Sequence, residues 1–260
     1  MPWVIFRCEW VGRIANVSEI AMELINETLD ALGQVSSFDQ LGRFAAEVCA
    51  SYDIQNLAFQ IISPVSRNAG RPLFITTYEP HWIQQYVSLN YFEIDPVVLI
   101  GKSSFLPLDW DEIDRTSSIR RFLFAEAESY GVGKRGITMP VRGPGQERSL
   151  ITVTTFDSED QWKRRRAVLL RDFHLVAYFL HERSLHLTGL RVAQRPTLSR
   201  REKQCLELLA RGAAPKQIAY QLDLSISTVR LYLSSARLKL GAANKYEAIA
   251  RAVQHELILI

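Results

Sequence analysis

Apolar positions along this chain recur at three spacings, and the changes of spacing divide it. Residues 17–31 ("VSEIAMELINETLDA") and 38–50 carry apolar side chains at helical period, which predicts two amphipathic helices, with Ser37 placed to cap the second. The stretches "NLAFQIIS" (56–63), "PLFITTY" (72–78), "GITMPV" (136–141) and "SLITVTTF" (149–156) are short and rich in β-branched and aromatic residues, as strands are. "GPGQE" (143–147) between the last two is a turn, so they form a hairpin. From about 161 to 187, Leu169, Phe173, Val176 and Leu180 mark one stripe of a long helix. Hairpin-joined strands between helices predict an α–β–α sandwich around an antiparallel sheet.

"TGLRVAQRPT" (188–197) is polar and ends towards a Pro, which predicts a linker and hence two domains, 1–187 and 198–260. Beyond it the pattern is four short helices, so the whole chain is of α+β class with an all-α tail. Ser199 and Glu202 have capping-box spacing, a first helix over about 200–211 meets Gly212, and Pro215 suits the start of a second. That second helix turns Ile218, Ala219 and Leu222 inward. Ser225 can cap a third, "STVRLYLSSARLKL" (227–240), with Val229, Leu233, Ala236 and Leu240 on its inner stripe. "KYEAIARAVQHELI" (245–258) is a fourth amphipathic helix.

Two helices joined by a tight turn, the second polar and basic outside, describe a helix-turn-helix DNA reader. Arg230, Leu231, Ser234 and Ser235 share the outer face of the third helix. Arg230 can offer a fork to guanine O6 and N7, Ser227, Thr228 and the two outer serines can reach bases or phosphates, and Lys216, Arg237 and Lys239 can neutralise phosphate. Pattern alone leaves open a bundle with a solvated basic face. Charge favours the first view: 196–260 holds ten Lys/Arg against five Asp/Glu, a balance of +5, while the remaining 195 residues balance at −2. A basic tail on a slightly acidic body predicts a polyanion partner for the tail.

Composition removes other classes. No apolar run approaches the roughly 20 residues of a membrane span, and "MPWVIF" lacks the layout of a signal peptide. Cys8, Cys49 and Cys205 are too scattered for a disulfide framework or a metal site, and suit a reducing cytoplasm. His174, His181 and His186 are not at i, i+4 spacing and no acid completes a metal motif, so neither a catalytic constellation nor a metal or other cofactor is expected. The run "KRRR" (163–166) reads as a solvated helix face.

The tail "LSRREKQCLELLARGAAPKQIAYQLDLSISTVRLYLSSARLKLGAANKYEAIARAV" resembles the LuxR-type helix-turn-helix throughout, in its LS-x-RE start, RG step, K-x-IA helix, S-x-STVR turn and KLGA-x-NK stretch. In that family the third helix enters the major groove and Arg230 matches a base-contacting arginine. Ser234 stands where some members have a second arginine, so the operator sequence is not carried over. Such tails follow many sensors, and the first domain is judged separately. It is not a phospho-receiver, which needs a parallel sheet and clustered acids near its first strand.

It resembles instead the autoinducer-binding domain of acyl-homoserine-lactone regulators, most of all those from rhizobia and their relatives. "YEPHWIQQYVSLNYFEIDPVV…SSFLPLDW" and "AESYGVGKRGITMPVRGPGQERSLITVTTF" carry the likeness. The resemblance implies an N-acyl-homoserine lactone as ligand: Trp82 donating to the lactone carbonyl, Asp95 accepting from the amide N–H, and Tyr78 and Thr152 donating to the amide carbonyl. Tyr86 and Trp110 would wall the site, Gly136 would be structural, and Val97 departs from members with Thr there. The chemistry agrees, since a mostly apolar ligand with one amide needs an aromatic pocket with a charge-assisted acceptor. Alternatively Tyr86, Tyr91, Phe92 and Trp110 are plain core and Asp95 caps a turn. The implied partners are a two-fold DNA operator, a second copy of the chain and RNA polymerase, with no membrane. The stripe of the 161–187 helix and the face of Ile249 and Val253 are the expected self-association surfaces. The competing function is a LuxR-type regulator that works without lactone, through protein contacts or another small ligand.

Overall fold

The computed structural model describes residues 22–63, 73–143, 147–190 and 196–260, and the chain divides into two compact units, the first within 1–191 and the second made chiefly of 192–260. In the first unit, helix α1 runs through 22–34 and α2 spans Phe38–Ser51. They are followed by strands β1 (Asn56–Ser63) and β2 (Phe74–Thr76), helices α3 (Pro80–Ser88) and α4 (Pro96–Ser103), the short strand β3 (Leu108–Asp109) and helix α5 (Ser118–Ser129). Strands β4 (Arg135–Arg142) and β5 (Arg148–Thr155) and the long α6 (Glu159–Leu187) complete it. The sheet has the order β2-β1-β5-β4-β3, antiparallel at every pairing, and Gly143 N–H to Glu147 O (2.8 Å) closes the β4–β5 hairpin.

Strand alternation sorts the sheet into two faces. Leu57, Phe59, Ile61, Ile137, Met139, Ile151 and Val153 enter one core with α1, α2 and α6. The opposite face carries Ala58, Gln60, Thr138, Leu150 and Thr152 and is covered by α3, α4 and α5, whose Trp82, Val97 and Leu123 join a second apolar cluster. The α–β–α sandwich with an antiparallel sheet is therefore the observed architecture.

Several local expectations change. The part of the first predicted helix before residue 22, like Cys8 and "MPWVIF", lies outside the described residues. Ser37 occupies the N-cap of α2 without a side-chain capping bond, and Gln40 reaches back to Ser36 N–H (2.7 Å) and Ser36 Oγ instead. Among the described residues, the strand expected over 72–78 spans Phe74–Thr76, and Thr77 turns its hydroxyl to the backbone and side chain of β1. "KRRR" is more than a solvated face: Arg165 grips Asp157 (2.8 Å) and the Tyr52 and Asp53 carbonyls, and Arg166 pairs with Asp109 at 2.8 Å. The Leu169–Phe173–Val176–Leu180 stripe is fully buried against the sheet, so it cannot also be a self-association surface. The outward side of α6 carries Val168, Leu175, Tyr178 and Phe179.

The second unit contains α7 (Arg200–Ala210), α8 (Pro215–Leu222), α9 (Ile226–Lys239) and α10 (Lys245–Gln254). Both halves of the Ser199–Glu202 capping box form, Gly212 takes φ +89° just beyond α7, and Ser225 Oγ accepts from Thr228 N–H at 3.0 Å. Val229 and Ala236 of α9 are buried and Leu233 packs beside them, as the inner stripe requires. Ile249 and Val253 are partly buried against this unit's own core, which leaves part of each side chain at the surface.

Candidate ligand cavity and DNA-reading helix

A cavity of about 110 Å³ lies between the sheet and α3, α4 and α5. All six residues expected to form a ligand site (Tyr78, Trp82, Tyr86, Asp95, Trp110 and Thr152) line it. They come from five elements or their edges, and local sequence explains their placement. Pro80 and Pro96 start α3 and α4 at positions where a missing N–H costs nothing, and Trp82 and Tyr86 are four apart on α3, which puts both rings on the cavity side.

Asp95 combines two roles. Its Oδ1 accepts from Val97 N–H (2.8 Å) as the N-cap of α4, and its Oδ2 accepts from the Tyr86 hydroxyl at 2.6 Å. Each carboxylate oxygen therefore has a protein partner and keeps room for the ligand. Burial pushes the Asp95 carboxyl above its ordinary value, against the opposing hydrogen bonds from Tyr86 and the Val97 and Val98 backbone. Burial and the nearby Asp95 charge push the Tyr78 and Tyr86 hydroxyls far above the usual phenol range, so both stay protonated donors.

Aromatic packing holds this wall. The Trp82 ring lies 5.6 Å from Tyr86, and Tyr86 lies 4.7 Å edge-on from Phe92. Tyr91 is plain core: it is buried behind Trp82 and its hydroxyl donates to Glu126 at 2.5 Å. Trp110 is buried over Gly136, where any Cβ would stand 2.9 Å from the indole and from the Val153 carbonyl oxygen. That close approach is why glycine is required there.

A residue that pattern reading missed completes the site. Trp110 Nε1–H donates to Thr138 Oγ1 (3.1 Å), which is 2.9 Å from Thr152 Oγ1. Thr138 and Thr152 are paired across β4 and β5, so strand alternation from Thr152 could have pointed to it. When Thr138 donates to Thr152, the Thr152 proton is free to point into the cavity. Val97 adds an apolar side chain to the wall.

In the second unit, Lys216, Ser227, Arg230, Leu231 and Ser234 are exposed, Leu231 by 67%. Thr228 is partly buried, and both it and Ser227 have their hydroxyls 2.7 Å from the Ser225 cap. Three others are turned to the protein. Ser235 Oγ and Lys239 Nζ donate to the Glu202 carboxylate at 2.6 and 2.8 Å, and Arg237 donates to the Ala242 carbonyl at 3.1 Å. Burial works against the Glu202 charge, but the donors from Lys239, Ser235 and Ser199 outweigh it and hold the carboxyl at about 2.

Among the described residues, no cluster of His, Cys, Asp or Glu is placed to hold a metal ion, and no helix is long and apolar enough to cross a membrane. His174 packs on Tyr178, and buried His181 places Nδ1 2.8 Å from Ser149 Oγ.

Comparison with known proteins agrees with this anatomy. Residues 37–184 match the family described as autoinducer binding domain, and residues 196–252 match bacterial regulatory proteins, luxR family. The transcriptional activator protein RaiR of Rhizobium etli is 46% identical over 181 residues, 69% of this chain and 75% of that protein. The transcriptional activator protein VanR of Vibrio anguillarum is 31% identical over 183 residues, 70% of this chain and 75% of that protein. The crystal structure of Escherichia coli SdiA shares the fold, with a TM-score of 0.59 and 22% identity over 92% of this chain and 99% of that one. This chain belongs to the LuxR family of quorum-sensing transcription regulators, with an autoinducer-binding domain followed by a DNA-binding domain, and it is not an enzyme.

Proposed function

We propose that the autoinducer is an N-acyl-homoserine lactone, held in the cavity of the first unit, and that its binding controls promoters read by α9. One observation carries this: a carboxylate, Asp95, stands in a mostly apolar and aromatic wall beside three further groups able to donate, Tyr78, Trp82 and Thr152. Asp95 takes the amide N–H, Trp82 the lactone carbonyl, Tyr78 and Thr152 the amide carbonyl, and Tyr86 and Trp110 close the sides. Residues 1–187 form the sensor, 188–197 the linker and 198–260 the reader, and the protein acts in the cytoplasm. Calorimetric titration with lactones of several acyl lengths tests the assignment. Saturable binding of at least one lactone, with none of the free homoserine lactone ring, is expected; a protein that regulates its promoter while binding no lactone would replace this reading by control through protein contacts or another ligand.

The DNA-bound form is a homodimer, because a two-fold operator needs two reader helices about one DNA turn apart. The exposed Val168, Leu175, Tyr178 and Phe179 of α6 are the surface we assign to it. RNA polymerase is the further protein partner that a promoter-bound regulator would contact. Arg230→Ala is expected to cost about 1–3 kcal/mol of operator binding and to relax base preference at one position of each half-site. Competition binding against single-base operator variants checks it, and an equal loss on operator and random DNA would remove Arg230 from base readout.

A further inference from the structure

We infer that Gln60 reads a hydrogen-bonding substituent on the acyl chain, so that the cavity takes lactones carrying a keto or hydroxyl group on the chain in preference to plain ones. This rests on the lactone assignment above. The sheet register lays out the floor of the cavity in two cross-strand rows. One row is Thr76, Ala58, Thr152 and Thr138, and the next is Phe74, Gln60, Leu150 and Pro140. Successive rows on one face are two residues apart, about 7 Å. The first row lies at the end that holds the ligand's amide, because Thr152 belongs to it. The second lies further along the acyl chain, and apart from Gln60 it presents only apolar side chains.

At the first end, the Tyr78 hydroxyl and the Trp82 indole are the donors assigned above to the ligand's carbonyls, and other polar groups are tied into the protein. The Tyr86 hydroxyl is held by Asp95, the Trp110 indole by Thr138, and Thr76 Oγ1 accepts from Tyr78 N–H at 3.1 Å. Gln60 differs. It is partly buried in the cavity wall, and among the described residues its side-chain amide has no hydrogen-bond partner. A plain methylene chain lying over it would strip water from that amide and return nothing, which is the unfavourable case for a polar group. A keto oxygen accepts from its NH2, and a hydroxyl can donate to its carbonyl, so one glutamine serves both substituents. Sites that hydrogen-bond a substituent discriminate far better against its absence than apolar sites discriminate against its presence.

The test compares octanoyl-, 3-oxo-octanoyl- and 3-hydroxy-octanoyl-homoserine lactone on the full chain by calorimetry, for wild type, Gln60→Leu and Gln60→Met. Two apolar replacements of similar length guard against one that misfolds, and the melting temperature of each unliganded protein is measured alongside. Wild type is expected to prefer a substituted lactone by about tenfold, less than a fully enclosed polar site gives. Both variants should bring that ratio close to one, by gaining affinity for the plain lactone and losing it for the substituted ones. A wild-type preference for the plain lactone, or a ratio that survives both substitutions, overturns the role of Gln60 and leaves the lactone assignment standing. Failure of wild type to bind any of the three overturns the reading of Gln60, and the lactone assignment falls with it only if the lactones of other acyl lengths also fail to bind.

Discussion

Asp95→Asn is expected to weaken lactone binding by about 2–3 kcal/mol, roughly 30- to 150-fold, while leaving the unliganded fold in place. The asparagine Oδ1 can keep the α4 cap that Asp95 makes to Val97 N–H. Its Nδ2 then replaces the oxygen now held by Tyr86, and a donor faces the ligand's amide N–H where an acceptor stood. The substitution also removes a charge that burial disfavours. A carboxyl raised in the fold costs stability above its pKa, so the apo melting temperature should not fall. The pH dependence has a definite sign: lactone binding favours the ionised acid, so wild-type affinity should drop as pH falls through the Asp95 pKa, which lies above its ordinary 3.8. Thermal shift against lactone concentration, for wild type, Asp95→Asn and Trp82→Phe, checks this by linkage. The tryptophan variant should lose a smaller part, since its ring packing survives. An undiminished shift in Asp95→Asn would reduce the acid to the cap of α4.

Glu202→Ala should destabilise the DNA-binding unit by about 2–4 kcal/mol, a large share of what a domain of this size holds. Glu202 is 3% exposed, completes the N-cap of α7 and ties Ser235 and Lys239 of α9 to it. Its loss removes a cap, leaves the Ser235 hydroxyl without its acceptor and frees Lys239. The carboxyl is held at about 2, below its ordinary 4.5, so its stabilisation is fully present above about 4.5 and is lost as pH falls towards 2. Urea unfolding of wild type and variant should therefore differ at pH 7 and converge near pH 2–3. Operator affinity at pH 7 should fall with stability, because α9 loses the brace along its second half. Equal unfolding midpoints at pH 7 would mean that Glu202 is a surface ion pair of little consequence. For the same reason Lys239→Ala should act on DNA binding mainly through the placement of α9.

Much of this protein was legible as pattern. Alternation in β1, β4 and β5, the Ser199–Glu202 spacing and the Val229–Ala236 stripe each depend on contacts a few residues apart or on one buried face, and the structure keeps them. The six cavity residues, all of which line one cavity, came from resemblance to the autoinducer-binding domain rather than from pattern. Pattern did not locate α3, α4 and α5, whose apolar residues are divided between a cavity and a core and so blur the helical period. Nor could it say that the α6 stripe faces the sheet rather than a second chain, since either surface demands the same apolar spacing.

Tertiary structure alone decided three matters. It gave the Asp95 carboxylate both a cap and a tyrosine partner, where sequence offered the cap as a rival of the ligand role. It turned Ser235 and Lys239 from the DNA-facing set towards Glu202, 33 and 37 residues away along the chain. It joined the Trp110 indole N–H and the Thr138 and Thr152 hydroxyls into one hydrogen-bonded chain across two strands. The reason is common to all three. Sequence periodicity reports which side of an element is buried, whereas the partner of a polar group is set by what other elements bring within about 3 Å of it.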